Sequence, residues 1–530
     1  MVHRSLLLIF VLLFATITFA HERPDWVGGR PDGCTTITVG KSASDGGWVS
    51  TSHTCDSHRT RSWFDIMPSK THEPGSQLTL LKRTNEDSLA MPAYKKVPTG
   101  DIPQVETTHG FINTAYPCMN EHQLAIGEST FGGRETLQSE AGLIDCQQLV
   151  QLMLERCTTA REAIELGGDL LGQYGWNDVG ECLTIADTKE VWHFEVVGPG
   201  AGNVGAIWVA QRVPDDHVSV NANASRIRKV DFDKPDYFLY SENLTQVAID
   251  SGWWSPEDGA FEFCYAYDPG GRRSMAARRR EWRVFDLLAP SLALDPNGQD
   301  FPFSVKPDTL VSLNDLVTCF KDYYEGTEFN FVKNITVTDD SGRTILSPLA
   351  NPFMPYDMNK VFDINGGWGW RGERTIARWY TMYATITQSR DYLPNEIGGV
   401  VWMAIDNVAN SIYVPLYCSI TDVAEPYKTP GRINGYNRDS AWWAFNRLGT
   451  LAAQRWGDMR HDLDAVWVPW QEELFANQAE VEKKALELLD QDPAKARSYL
   501  TEYGKTWGNK VVDKAWDLGD FLWTKYDEKF

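Results

Sequence analysis

GCTTITVGKSASDGGWVSTSHTCD, residues 33–56, sets two runs rich in β-branched residues on either side of a turn of Gly, Ser and Asp. Thr, Ile and Val suit a pleated, buried surface, so TTITV and WVSTSHT read as the strands of a β-hairpin around GKSASDGG. Pairing Val39 with Trp48 puts Cys34 opposite His53 on one face and leaves Asp56 just past the end of the second strand. The first strand then opens on a cysteine that faces a histidine and an aspartate.

What precedes that cysteine gives it a chemical meaning. Residues 1–20, MVHRSLLLIFVLLFATITFA, carry Arg4, an apolar run from Leu6 to Phe14 and a small-x-small end at Thr18, Phe19 and Ala20. This is the pattern of a secretory signal peptide, and its apolar run is too short for a comfortable membrane span. Residues 21–33, HERPDWVGGRPDG, are polar and rich in Pro and Gly, and read as a pro-segment. Removing them gives Cys34 a free α-amine beside its own thiol. An α-amine titrates at about 7.7–8.0, so one residue supplies both nucleophile and general base. Gly33 leaves the carbonyl before Cys34 unhindered and is the expected processing position. The competing reading makes Cys34 a disulfide partner in a non-catalytic secreted glycoprotein. Nine cysteines in an oxidising compartment allow up to four disulfides with one thiol left over.

Composition narrows the partners. With 42% hydrophobic and 23% charged residues the chain folds, and its net charge of −22 with no long basic run excludes nucleic acid and anionic membrane surfaces. No later segment is long and apolar enough to span a bilayer, so the mature chain is expected to be secreted or lysosomal. Asn223-Ala-Ser, Asn243-Leu-Thr and Asn334-Ile-Thr are sequons compatible with that route. The ten histidines include no H-x-x-x-H spacing and the cysteines no clustered C-x-x-C, so neither metal nor cofactor is expected.

Strand-like runs recur at HQLAIGEST, ECLTIADTKEVWHFEVV, GAIWVAQRV and between 376 and 418. A helix-like stretch covers about Asp145 to Leu171, and helical periodicity dominates from about Trp470 onward. Mixed this way, they predict an α+β fold with sheets covered by helices. Val481, Ala485, Leu488 and Leu489 give the tail an apolar stripe that packs on the core or joins two copies.

The opening stretch, with five blocks that follow it in order, resembles the dipeptidase A and secernin family of cysteine peptidases. The blocks are MNEHQLAIGESTFGGRE from Met119 to Glu135, EVWHFEVVGPG, VNANASRIR, and the pair RRREWRVFDLLAPS and YLPNEIGGVVWMAIDNVANSIYVPLYC. These enzymes are N-terminal nucleophile hydrolases, related to bile salt hydrolase and penicillin V acylase. The resemblance covers roughly residues 34 to 460. It implies a four-layer αββα sandwich over residues 34–465, with 466–530 as a helical C-terminal extension, and dipeptides as substrates. N-acyl amides on the same fold are the alternative.

By the same resemblance Cys34 is the nucleophile and Asp56 orients its amine and thiol. Asn120 and Asn223 are the side-chain amides of the site, facing the oxyanion. Arg280, within the run Arg278 to Arg283, is the late arginine that favours thiolate by charge. His53 stands where bile salt hydrolases carry an Arg and is a substrate-binding candidate, whereas His58 reads as a loop residue. Glu121 and Glu128 read as structural groups or contacts to a substrate amine, with Glu121 the substrate-binding candidate. Asn223 heads a sequon as well, and a glycosylated Asn has no place in such a site, which leaves Asn243 and Asn334 for glycosylation.

Overall fold

A run rich in β-branched Thr, Ile and Val is what places the opening strand. In the computed structural model, which describes residues 33–57, 60–86, 93–353, 374–431 and 435–529, the stretch forms a hairpin of β1 (Gly33–Val39) and β2 (Ser50–Asp56). All fourteen residues of these two strands are buried. Thr38 and Thr51 point to a second sheet, where their hydroxyls meet His193 Nε2 at 3.1 Å and Thr184 Oγ1 at 2.6 Å. By the period of two, Cys34, Thr36 and His53 share that face, while Ile37 and Val39 take the other. The signal-like residues 1–20, nearly all of the pro-segment and His58 lie outside the described residues.

The pairing differs from the expected one by two residues. Val39 pairs with Ser50, Thr36 with His53, Cys34 with Cys55 and Gly33 with Asp56. Trp48 belongs to the connection, where its indole donates to Asp45 Oδ1 at 3.2 Å and its carbonyl accepts from Ser44 Oγ at 2.7 Å. Those bonds lengthen the turn. Because the slip is even, every side chain keeps its face. His53 is therefore diagonal to Cys34 rather than opposite it.

Two antiparallel sheets carry the fold, which is α+β. The strands of the first, from edge to edge, are Ser304–Val305, Val218–Asn221, β1, β2, Thr381–Gln388, Val400–Ile405 and Val414–Tyr417. The second runs Phe238–Tyr240, Ile207–Val213, Val191–Val197, Glu181–Ala186, Ala125–Thr130, Met119–Asn120, Phe111–Asn113 and Asp65–Met67. Gly127 sits where they approach: a Cβ there would lie 2.8 Å from Thr184 Oγ1 and 3.0 Å from Thr51 Oγ1. The strand Ala125–Thr130 is called β3 below.

Helices pack on both sheets. The stretch expected as one helix from Asp145 is two, α1 (Cys146–Arg156) and α2 (Ala160–Tyr174), packed on the second sheet. Thr159 breaks the run: its side chain caps α2 in a reciprocal box with Glu162, the T-x-x-E signature of a helix start. Against the first sheet lie α3 (Met275–Leu288), beside Val218–Asn221, and α4 (Ala441–Gln454), beside Val400–Ile405. The tail forms α5 (Trp456–Leu489) and α6 (Pro493–Lys525), which pack on each other. Helix α6 also packs on Val414–Tyr417, and Val481 and Ala485 of the expected stripe are buried. Helix α5 runs unbroken through the 465/466 boundary drawn from sequence.

The disulfide expectation is overturned. All nine cysteines are described and buried, and none is in a disulfide. Cys34 and Cys55 are cross-strand neighbours, while Cys118 Sγ lies on the Ile112 carbonyl (3.8 Å) and Cys418 Sγ on the Asn395 carbonyl (3.0 Å).

Candidate active site

Cys34 is gripped at each of its three polar atoms by a different side chain. Its N–H donates to Asn223 Oδ1 at 3.0 Å, its carbonyl accepts from Arg280 Nη1 at 2.6 Å, and its thiol donates to Glu128 Oε1 at 2.8 Å. The nitrogen here is a peptide nitrogen, because residues 1–32 precede it; it stands in for the α-amine of a chain that starts at Cys34. Burial, then the Glu128 carboxylate, push the Cys34 thiol well above its usual range.

Asn223 lies just past the strand Val218–Asn221 with φ 62°, a left-handed conformation that Asn tolerates. Its backbone N–H donates to Ser129 Oγ (2.9 Å) and its Nδ2 to the Thr130 carbonyl (2.7 Å), both on β3. Spending Nδ2 there turns Oδ1 toward two donors, Cys34 N and Arg280 Nη2, the latter at 2.9 Å. Asn223 therefore accepts at the Cys34 nitrogen, and the oxyanion-donor role expected of it is not the one its geometry provides. The same bonds occupy the nitrogen that a glycan would need.

Arg280 uses all five of its N–H donors. Nε bonds the Ala276 carbonyl (2.8 Å), Nη1 the Cys34 carbonyl and Thr35 Oγ1 (2.9 Å), and Nη2 the Ala222 carbonyl (2.8 Å) and Asn223 Oδ1. Its neighbours in the run look elsewhere. Arg278 bonds the carbonyls of Asn297 and Gly298, Arg279 that of Pro296, and Arg283 grips Asp322 at 3.0 and 2.8 Å. Burial and the nearby Arg374 charge pull Arg280 down to about 9, which still leaves it cationic at neutral pH.

The next residue fixes the helix that carries Arg280. Glu281 accepts from Arg226 Nη1 (2.6 Å) and from both Nη atoms of Arg272 (3.0 and 2.7 Å). Arg226 follows Asn223 by three residues, so one buried carboxylate ties the Asn223 loop to α3. Burial alone would raise the Glu281 carboxyl, but the two guanidinium charges win and hold it at about 2.

Asp56, opposite Gly33, accepts from Thr381 Oγ1 at 2.6 Å and forms an ion pair with Arg374. A Cβ on Gly33 would lie 2.2 Å from Arg374 Nη1 and 3.1 Å from Asn223 Oδ1, so only glycine fits without displacement. Arg374 escaped the sequence reading, since it stands in none of the segments that carry the resemblance.

His53 reaches the thiol through Glu128. Its Nε2 lies 3.0 Å from Glu128 Oε1, the same oxygen that accepts from Cys34. Burial works to raise the Glu128 carboxyl, but the His53 hydrogen bond and charge and the Cys34 contact hold it below its ordinary value. Glu181, linked through Thr130 Oγ1 (2.9 Å), shifts the opposite way: burial and the Glu128 charge push it well up. The two carboxyls are thus pushed in opposite directions, and the one held low is the one that touches the thiol. Thiol, imidazole and carboxylate atoms of Cys34, His53 and Glu128 lie within 4.8 Å of one another, a donor set that a soft divalent cation could also use.

Asn120 and Glu121 are not part of this cluster. Asn120 donates both amide hydrogens to the carbonyls of Leu154 (2.9 Å) and Cys157 (2.8 Å) at the end of α1. Its Oδ1 accepts from the N–H groups of His122 (3.0 Å) and Leu124 (3.1 Å). A fully spent amide has no donor left for an oxyanion, so the role expected of Asn120 gives way to tying a turn to a helix end. Glu121 accepts from Gly110 N at 3.0 Å, beside His109 and His122, whose ring nitrogens are 3.1 Å apart. Asn243 Nδ2 donates to the Ala206 carbonyl at 3.1 Å, whereas Asn334 is exposed.

A buried thiol enclosed by a carboxylate, an amide and a guanidinium at the head of an inner strand belongs to a defined class: the chain is a member of peptidase family C69, whose model matches residues 33–468. The match begins one residue before Cys34. Among its relatives, a protein named probable dipeptidase from Latilactobacillus sakei is 24% identical over 446 residues, covering 81% of this chain and 83% of its own. Dipeptidase A of Lactobacillus helveticus is 23% identical over 430 residues (79% and 81%), and a probable dipeptidase of Salmonella dublin is 26% identical over 406 residues (73% and 82%).

Proposed function

We propose that this chain is a secreted or lysosomal dipeptidase that uses Cys34 as an N-terminal nucleophile after removal of residues 21–33. The observation that carries the reading is the threefold grip on Cys34, by Asn223 at its nitrogen, Arg280 at its carbonyl and Glu128 at its thiol. An ordinary buried cysteine needs none of these. The dipeptidase names of the relatives support the substrate class.

Maturation and turnover use the same atoms. In the precursor the Cys34 sulfur attacks the Gly33 carbonyl, the Gly33–Cys34 C–N bond breaks, and the freed nitrogen keeps the thiol proton. Water then cleaves the resulting thioester and restores the thiol beside a free α-amine. In turnover the sulfur bonds the substrate's acyl carbon while the α-amine takes the thiol proton. That proton passes to the departing amine as the peptide C–N bond breaks, and water hydrolyses the acyl-enzyme. Asn223 Oδ1 and the Asp56–Arg374 pair hold the amine toward the sulfur.

The wider reading follows. Helices on each of two contacting sheets support a four-layer αββα sandwich over residues 34–465 with 466–530 as an extension. The leader-like residues 1–20 carry the secretory assignment alone, because the cysteines, none of them in a disulfide, lend it nothing. Exposed Asn334 suits a glycan better than Asn243, whose amide is bonded.

The test is N-terminal sequencing and dipeptide hydrolysis, wild type beside Cys34→Ala. A wild-type start at Cys34, a variant that keeps residues 21–33, and hydrolysis by the wild type alone are expected. A start at His21 in both, with equal activity, sinks the reading.

A further inference from the structure

Glu128 poses a physical problem. A charged carboxylate 2.8 Å from a nucleophilic thiol works against the chemistry, because it disfavours thiolate. The protein nevertheless keeps the charge there. His53 bonds the same oxygen, Thr130 Oγ1 approaches the other at 3.4 Å, and of the two neighbouring carboxyls it is Glu181, not Glu128, that burial and charge push up. His53 is the ion-pair partner of Glu128 through one oxygen, no lysine or arginine joins it among the described residues, and the hydroxyl contact at the other oxygen is a long 3.4 Å, which leaves that side of the carboxylate able to take a further cation.

We infer that Glu128, oriented by His53, binds the free α-ammonium of the substrate's N-terminal residue and so restricts the enzyme to unblocked peptides. Geometry supports this directly. In the adduct of Cys34 with an α-amino acyl group, three bonds separate the sulfur from the α-nitrogen. A carboxylate that touches the sulfur is then within hydrogen-bond reach of that nitrogen. Arrival of the ammonium also neutralises the charge that opposes thiolate, so binding of a correct substrate favours its own attack. A blocked peptide brings no cation, leaves Glu128 buried without it, and meets a thiol still held protonated. Glu121, the acidic residue singled out from sequence, is committed to Gly110 N and has no such position.

This inference rests on the dipeptidase reading, and substrates rather than variants separate the two. Rates are compared for a dipeptide, its N-acetyl derivative and its des-amino analogue, with wild type, Glu128→Gln and Glu128→Asp. Wild type is expected to prefer the free dipeptide by at least about 100-fold over both analogues, as sites built to bind an N–H reject ligands lacking it. Glu128→Gln is expected to bring that ratio below about tenfold, and Glu128→Asp, which keeps the charge, to retain most of it. Hydrolysis of blocked and free substrates at similar rates by wild type overturns the inference and leaves a hydrolase standing. Loss of rate on all three substrates equally in Glu128→Gln overturns it as well, since a structural role acts that way. Cleavage of the N-acetyl compound alone overturns both readings. If Glu128→Gln does not fold, the wild-type ratio decides.

Discussion

At the scale of single residues the site is a matter of which hydrogen-bonding capacity is left after neighbours have taken their share. Asn120 has none left, because two helix-end carbonyls and two backbone N–H groups use its amide completely. Asn223 has one oxygen left, aimed at Cys34 N. Replacing Asn223 with Ala frees that nitrogen to move, and displacement on the ångström scale costs about 100-fold in rate. Asn223→Ala is therefore expected to lower kcat/KM for a dipeptide by about that factor, together with a loss of thermal stability, since Ala is strained at φ 62° and leaves the Thr130 carbonyl and Arg280 Nη2 without this partner. An unchanged kcat/KM, measured on protein confirmed to start at Cys34, counts against the assignment. Residue types and order singled out Cys34, Asp56 and Arg280, which the fold brings close together, but the bonds made by the two asparagines were not legible, since an amide's free valence depends on partners distant in sequence.

At the scale of elements, the grip on Cys34 joins four segments. β1 brings Cys34, β3 brings Glu128, the loop after Val218–Asn221 brings Asn223, and α3 brings Arg280. Glu281 clamps the last two through Arg226 and Arg272. Breaking a buried ion cluster by removing its carboxylate leaves charges unpaired and costs about 3–5 kcal/mol. Glu281→Gln is expected to lower unfolding free energy by that order at pH 7. The pH dependence follows from the direction of the shift. The folded carboxyl titrates at about 2 and the unfolded one near 4.3, so the stabilisation is present above about 4.3 and is lost as pH falls through 2. Denaturant midpoints between those pH values should flatten in Glu281→Gln relative to wild type; parallel curves would show that the clamp contributes nothing. The sequence shows the arginine-rich run but not which arginine does what, because α3 sends Arg278, Arg279, Arg280 and Arg283 to four different sets of partners.

At the scale of the molecule, two sheets meet through polar contacts rather than an apolar layer alone. Thr51 with Thr184, Thr38 with His193, and His53 with Glu128 all cross between them. Such an interface tolerates a buried, charged site because its polar groups are already paired. None of the nine thiols is in a disulfide, so thiol titration in denaturant without reductant is expected to count nine for a chain beginning at Cys34, and very few in native protein. A count of one would restore the four-disulfide framework.

The chain's own pattern determined its strands, its α+β class and the prominence of Cys34, because β-branched alternation and a cysteine after glycine are local properties. It also placed His53 on the right face while missing its partner by two residues, since an even slip preserves side-chain direction. Tertiary structure alone decided that Glu128 touches the thiol, that Arg374 pairs with Asp56, and that Asn120 is spent elsewhere. Each of those joins residues far apart in the chain, through sheet pairing, sheet contact and helix packing, and the energy of each depends on burial that only the folded chain creates.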